Sequence, residues 1–165
     1  MRFITTLVLA VALGVLASCA PSKFKTYNGP EVTQIYVRKS DRQMFLMHHD
    51  KVLKRYDIAL GFTPEGHKQW EGDGRTPEGL YYIDRHNGNS AYHLSVGISY
   101  PNEFDVAWAE SLGKQPGGDI FIHGRANAHR GKGRDWTAGC IAVKDDEIED
   151  IYAMVRPGTP ILIVP

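Results

Sequence analysis

The chain has 165 residues, with 19 Lys+Arg balanced by 19 Asp+Glu, 7 His and 2 Cys. At about 100–200 residues per domain this length supports one core, and 42 % hydrophobic with 23 % charged residues excludes wholesale disorder. A formal charge of zero lacks the basic excess of a nucleic-acid binder, and two cysteines are too few for a disulfide scaffold or a four-thiolate zinc site.

Arg2 is followed by the mostly apolar run Phe3 to Leu16, which has no acidic residue. The run is too short to cross a bilayer as a helix but suits the hydrophobic region of a signal peptide. It ends in Leu16-Ala17-Ser18-Cys19, small residues ahead of a cysteine, and resembles a bacterial lipoprotein signal with its lipobox. The resemblance implies a signal over residues 1–18 and lipidation of Cys19 as the first mature residue, whose acyl chains would hold the protein on a membrane. Ala20, where an Asp would retain such proteins at the inner membrane, implies the outer membrane, facing the periplasm. The alternatives are an ordinary secretory signal with Cys19 incidental, or an uncleaved anchor. Residues 19–30 are short, polar and Pro/Gly-bearing and read as a lipidated tether, with the folded domain over 31–165.

Val32–Arg38 is rich in β-branched residues and reads as a strand. Turns at Ser40-Asp41 and His49-Asp50 separate it from strands at Met44–His48 and Val52–Leu60. Thr76-Pro77-Glu78-Gly79 suits a type I turn ahead of a strand at Leu80–Arg85. Further strands are expected at Tyr92–Ser99, Asp119–His123, Ile141–Val143 and Ile161–Val164. One helix is expected, Asp145–Val155, with Ile148, Ile151, Tyr152 and Val155 on one face, Asp145 as its cap and Arg156-Pro157-Gly158 as its stop. The acidic residues of Asp145 to Asp150 read as its solvated face. The expected fold class is mainly β with a small helical element.

Cys140 lies in Trp136-Thr137-Ala138-Gly139-Cys140-Ile141, at a loop-to-strand junction where Gly139 permits a sharp turn. His123 ends an apolar strand and precedes Gly124. A thiol needs a base to become a nucleophile at neutral pH, but a lone Cys and a distant His by themselves favour a buried structural thiol over a nucleophile. The stretch Ile122-His123-Gly124 … Thr137-Ala138-Gly139-Cys140-Ile141 resembles the signature of the L,D-transpeptidase (YkuD-type) catalytic domain. Gly72-Asp73-Gly74-Arg75-Thr76-Pro77-Glu78-Gly79, Ile98-Ser99-Tyr100-Pro101-Asn102 and Pro157-Gly158-Thr159-Pro160 extend the likeness, from about Val32 to Pro165.

The resemblance implies a β-sandwich-like catalytic fold in which Cys140 is the nucleophile and His123 its base and acid. The Gly124 carbonyl would orient the imidazole, and backbone N–H groups at Gly139 and Cys140 would form an oxyanion hole. It implies acyl transfer on peptidoglycan stem peptides through a thioester, to an amine or to water, without metal or organic cofactor. Thr137 would shape the site, and Trp136 would be either a core plug or a wall of the substrate groove. Many members carry His and Arg or Asn where this chain has Ala138 and Ala142, which leaves transfer and hydrolysis both open; a silent peptidoglycan-binding lipoprotein is the reading from another class. Residues 125–134 form a basic loop in which Arg130, Lys132 and Arg134 could attract an acidic peptide. His48 and His49 read as exposed turn residues, and the spacing of His123, His129 and Cys140 matches no zinc pattern.

Overall fold

The computed structural model describes residues 22–125 and 133–165; Cys19, His129, Arg130 and Lys132 lie outside them. The first three strands are β1 (Gln34–Arg38), β2 (Gln43–His48) and β3 (Lys51–Asp57), an antiparallel meander. It is followed by β4 (Gly79–Asn87) and β5 (Ser95–Ile98), helix α1 (Glu103–Ser111), β6 (Phe121–His123) and β7 (Ile141–Ala142). Helix α2 (Asp145–Met154) and β8 (Pro160–Val164) complete the order. The strands make one eight-stranded sheet in the order β3-β2-β1-β8-β4-β5-β6-β7, mainly β as expected.

Alternation along the strands builds the core. Ile35 and Val37, Met44 and Leu46, and Ile161 and Ile163 point inward from β1, β2 and β8, each essentially inaccessible to solvent. β5 is buried on both faces, because α2 packs over β5 and β6. Ile148 and Ile151 of α2 are fully buried, and each contributes ~1.5–3 kcal/mol. The edge strand β3 differs: Lys51, Lys54, Arg55 and Asp57 are exposed and only Tyr56 is buried.

The sheet curls until the chain leaving β3 meets its far edge. Ala59 exchanges both backbone hydrogen bonds with Ala142 of β7, each 2.9 Å. Two residues on, the Thr137 N–H donates to Leu60 O at 3.1 Å and the Phe62 N–H to Thr137 O at 2.9 Å. Asp135 reinforces this seam by accepting from the Leu60 N–H and from the Arg42 guanidinium.

Several local expectations change. The third strand stops at Asp57, where the Ile58 N–H turns to Arg42 O, and the chain then serves the seam. The fifth begins at Ser95 instead of Tyr92, because His93 adopts φ +74 and interrupts the extended run. No turn forms at Thr76–Gly79; the Thr76 hydroxyl instead accepts from the Gly61 N–H, and its carbonyl from the buried Lys39 ammonium.

Helix α1 was not expected. Its Asn102-x-x-Asp105 capping box is regular, but Phe104, Trp108 and Leu112 face solvent while Asp105 and Ala109 are buried, so no apolar stripe announces it. Asp105 is held by the Tyr81 hydroxyl and His67. In α2 the cap is Lys144, not Asp145: the Glu147 carboxylate accepts from the Lys144 N–H, and Asp145 accepts from the Arg125 N–H. Nor is the acidic face of α2 merely solvated, since Glu149 and Asp150 pair with Lys25, Lys54 and His93. Residues 22–30, read as a tether, lie along the domain: Phe24 packs on Tyr152 and Tyr27 on the core.

Asp73 organises the 68–75 loop that backs the seam. It accepts from the Gln69, Trp70 and Arg75 N–H groups and pairs with Lys68 at 3.0 Å, both side chains almost wholly buried. Burial alone would push this carboxyl up; the hydrogen bonds and the Lys68 charge outweigh it and hold it below the ordinary aspartate value. Removing one member of such a pair strands the other charge. Asp73→Ala is expected to lose about 3–5 kcal/mol of unfolding free energy at neutral pH in urea titrations. The wild-type advantage is complete above the ordinary aspartate range and fades as pH falls through the depressed native value.

Candidate active site

β6 delivers His123 to the rim of the sheet. It lies opposite Ser95 on β5 and Ala142 on β7, with its carbonyl accepting from the Val143 N–H at 2.9 Å. The side chain is buried, 3 % exposed. Its Nδ1 lies 2.6 Å from Gly124 O. A carbonyl only accepts, so Nδ1 carries the proton and the neutral ring keeps its lone pair on Nε2. Burial pushes the imidazole below the ordinary histidine value, and the bond to Gly124 works against that shift.

Gly124 is glycine for a steric reason. A Cβ there would meet Asp145 Oδ1 at 2.6 Å and Tyr92 O at 2.8 Å. Its N–H donates to Leu94 O at 3.2 Å, which fixes the carbonyl that holds the imidazole. Tyr92 stacks on the His123 ring at 4.3 Å between centroids, and Trp136 meets the same ring edge-on at 5.8 Å. Trp136 is therefore a half-buried neighbour of the imidazole, covered by the Arg125 guanidinium at 5.4 Å.

Parallel pairing of β6 and β7 sets Ile122 opposite Ile141, both fully buried. Because side chains alternate, His123 falls on the face opposite Ile122, and Cys140 immediately precedes β7 beside Phe121. There the Phe121 N–H donates to Cys140 Sγ at 3.4 Å, and Sγ lies 3.5 Å from Asp119 O. Burial pushes the Cys140 thiol above the ordinary cysteine value; the Phe121 N–H and the Lys68 charge oppose the rise, and Asp119 adds to it.

The turn before Cys140 depends on Thr137. Its hydroxyl donates to Cys140 O at 2.7 Å and accepts from the Gly139 N–H at 3.1 Å. Gly139 has φ +141, and a Cβ there would stand 2.7 Å from Arg75 O, so both conformation and space require glycine. This alters one expectation: the Gly139 N–H is already engaged, whereas the Cys140 N–H has no acceptor among the described residues. Arg134 is exposed and, with Arg125, Lys144, Asp57 and Ala142, lines a cleft of about 380 Å³. His48 instead bonds Glu31 O through Nδ1, and among the described residues no group of three His, Cys, Asp or Glu side chains could hold a metal ion.

Tyr92, Asp135 and the Gly61–Arg75 backing of the turn were missed in the sequence. Gly61 had a signal, as a glycine ending an apolar run, but its reason is tertiary: a Cβ would clash with Gly74 O.

Comparison with known proteins identifies the family and the fold. The family model described as the L,D-transpeptidase catalytic domain (YkuD) matches residues 33–163. YafK of Escherichia coli K12, which carries the family's name, is 25 % identical over 163 residues, covering 94 % of this chain and 61 % of YafK. The helical cell shape determining protein Pgp2 of Campylobacter jejuni superposes with a TM-score of 0.63 at 25 % identity, over 87 % of this chain and 51 % of Pgp2. L,D-transpeptidase 1 of Mycobacterium tuberculosis shares the fold, with a TM-score of 0.53 at 15 % identity over 82 % of this chain and 62 % of that one. The chain thus spans about three fifths of YafK and half of Pgp2. It belongs to the L,D-transpeptidase catalytic-domain family.

Proposed function

We propose that this domain is a cysteine acyltransferase acting on peptidoglycan stem peptides, with Cys140 as nucleophile and His123 as base and acid. The observation that supports it most is the pairing of the strand that ends in His123 with the strand that Cys140 immediately precedes, together with Nδ1 tied to Gly124 O, which leaves Nε2 to accept a proton. Nε2 takes the Sγ proton as sulfur attacks the carbonyl carbon of an L-configured centre, typically diaminopimelate. The C–N bond to the following D-residue breaks and His123 returns the proton to the departing amine. An acceptor amine, deprotonated by His123, then attacks the thioester and releases sulfur; water in its place gives hydrolysis. The Cys140 N–H serves the oxyanion, while Gly139 and Thr137 hold the turn. Arg125, Arg134 and Lys144 give the adjoining cleft a positive lining suited to an acidic peptide.

The resting pair is uncharged at neutral pH, since burial moves the thiol up and the imidazole down. Activity as kcat/KM is expected to fall only below the ordinary histidine value, as His123 gains a proton. Alkylation of Cys140 by iodoacetamide at pH 7 should be slower than that of a free thiol; rapid alkylation at pH 6 would reveal a preformed ion pair and overturn this.

Incubation with muropeptides, followed by mass spectrometry, tests the reaction. Dimers or exchanged D-residues indicate transfer, and shortened stems indicate hydrolysis. Cys140→Ala should abolish both, and His123→Gln should cost about 10²–10⁴-fold; products that survive Cys140→Ala place the nucleophile elsewhere. We further propose that Cys19 carries the lipid that holds the protein at the outer membrane. Cys19→Ser should move it to the soluble fraction, and persistence in membranes would refute the anchor.

A further inference from the structure

The loop between β4 and β5, residues 88–94, supplies the ring that covers His123. Tyr92 stacks on the imidazole at 4.3 Å with 29° between the planes, and its carbonyl abuts Gly124. Within the loop the Leu94 N–H donates to Tyr92 O, the Tyr92 N–H to Ser90 Oγ and the Asn89 N–H to Asn87 Oδ1. His93 takes φ +74, a conformation that a non-glycine residue keeps only when its surroundings impose it.

Those surroundings come from the far end of the chain segment. Lys23 Nζ donates to Gly88 O at 2.8 Å and to His93 O at 3.0 Å, joining the two ends of the loop. Phe24 packs beside Gly88 and Tyr152. Lys25 reaches Asp150 at 2.8 Å, Asp146 O at 3.0 Å and Glu149 at 3.3 Å, while Glu149 holds His93 Nε2 at 2.8 Å. The segment 22–27 thus pins the loop to α2 from one side as Tyr92 bears on His123 from the other.

We infer that Lys23 is a positioning residue for His123, acting through the 88–93 loop and the stacked Tyr92 ring. This rests on the reading of His123 and Cys140 as the reacting pair. Lys23 touches no reacting atom; it closes the loop so that the imidazole has one orientation in which Nε2 serves Cys140. Small displacements of a base cost rate out of proportion to their size.

The test compares full-length wild type with Lys23→Ala, Lys23→Arg and Lys54→Ala, the last removing only an exposed pair with Asp150. Two readouts are taken: the ring-proton shifts of His123 by NMR, moved upfield by the stacked Tyr92 in the wild type, and the rate of covalent adduct formation with the carbapenem imipenem by intact mass. Lys23→Ala is expected to lose most of the upfield shift and to slow adduct formation roughly tenfold. Lys23→Arg should restore both to within about threefold, and Lys54→Ala should change neither. Unchanged His123 shifts in Lys23→Ala overturn the inference, as does a slowed rate that Lys23→Arg does not rescue. A wild type that forms no adduct overturns the proposed reaction instead, and the His123 shifts still decide the role of Lys23.

Discussion

The domain depends on a seam. A sheet that curls must either end in two open edges or find a way to join them, and here the chain leaving β3 does the joining through Ala59, Leu60 and Phe62. Every backbone bond of this join falls on Thr137 or Ala142, the residues that flank Cys140 on either side. The conformation of the cysteine turn is therefore not a local property of Gly139 but a consequence of closing the sheet. Asp135 and the Asp73 loop support the two sides of the join, and Gly61 and Gly139 are small because backbone lies against backbone there.

Closure also bears on the burial of this site. Burial pushes the Cys140 thiol up and the His123 imidazole down, and the rings of Tyr92 and Trp136 pack against the imidazole. In the proposed reaction charge develops as the proton moves, in surroundings of low polarity where a backbone N–H counts for more than in water. Thr137 takes up the Gly139 N–H, while the Cys140 N–H has no acceptor among the described residues.

What could be read from the amino-acid sequence follows from how far each signal reaches. His123, Gly124, Thr137, Gly139 and Cys140 were legible because their spacing is itself a motif, and the inward residues of β1, β2 and β8 because alternation is local. The α2 stripe was legible for the same reason. Helix α1 was not, since its large apolar residues face outward and periodicity reports only a face that meets a core. Tyr92 read as the start of a strand because nothing nearby announces the left-handed His93. Lys23, Lys25 and the acidic face of α2 looked like a tether and a solvated helix. Each is separated from these partners by more than 50 residues, and composition cannot show which charges will meet.

The charged face of β3 carries a different consequence. This strand ends the sheet order with much of its length exposed, and a free strand invites a second copy to continue the ladder. Lys51, Lys54, Arg55 and Asp57 set charge along that border, and a register shift at Leu46/Met47 distorts the pairing beneath it. Opposite, β7 is only two residues long. Its outer edge is already taken by Ala59, and the charged, distorted border of β3 is a poor template for a second copy to extend.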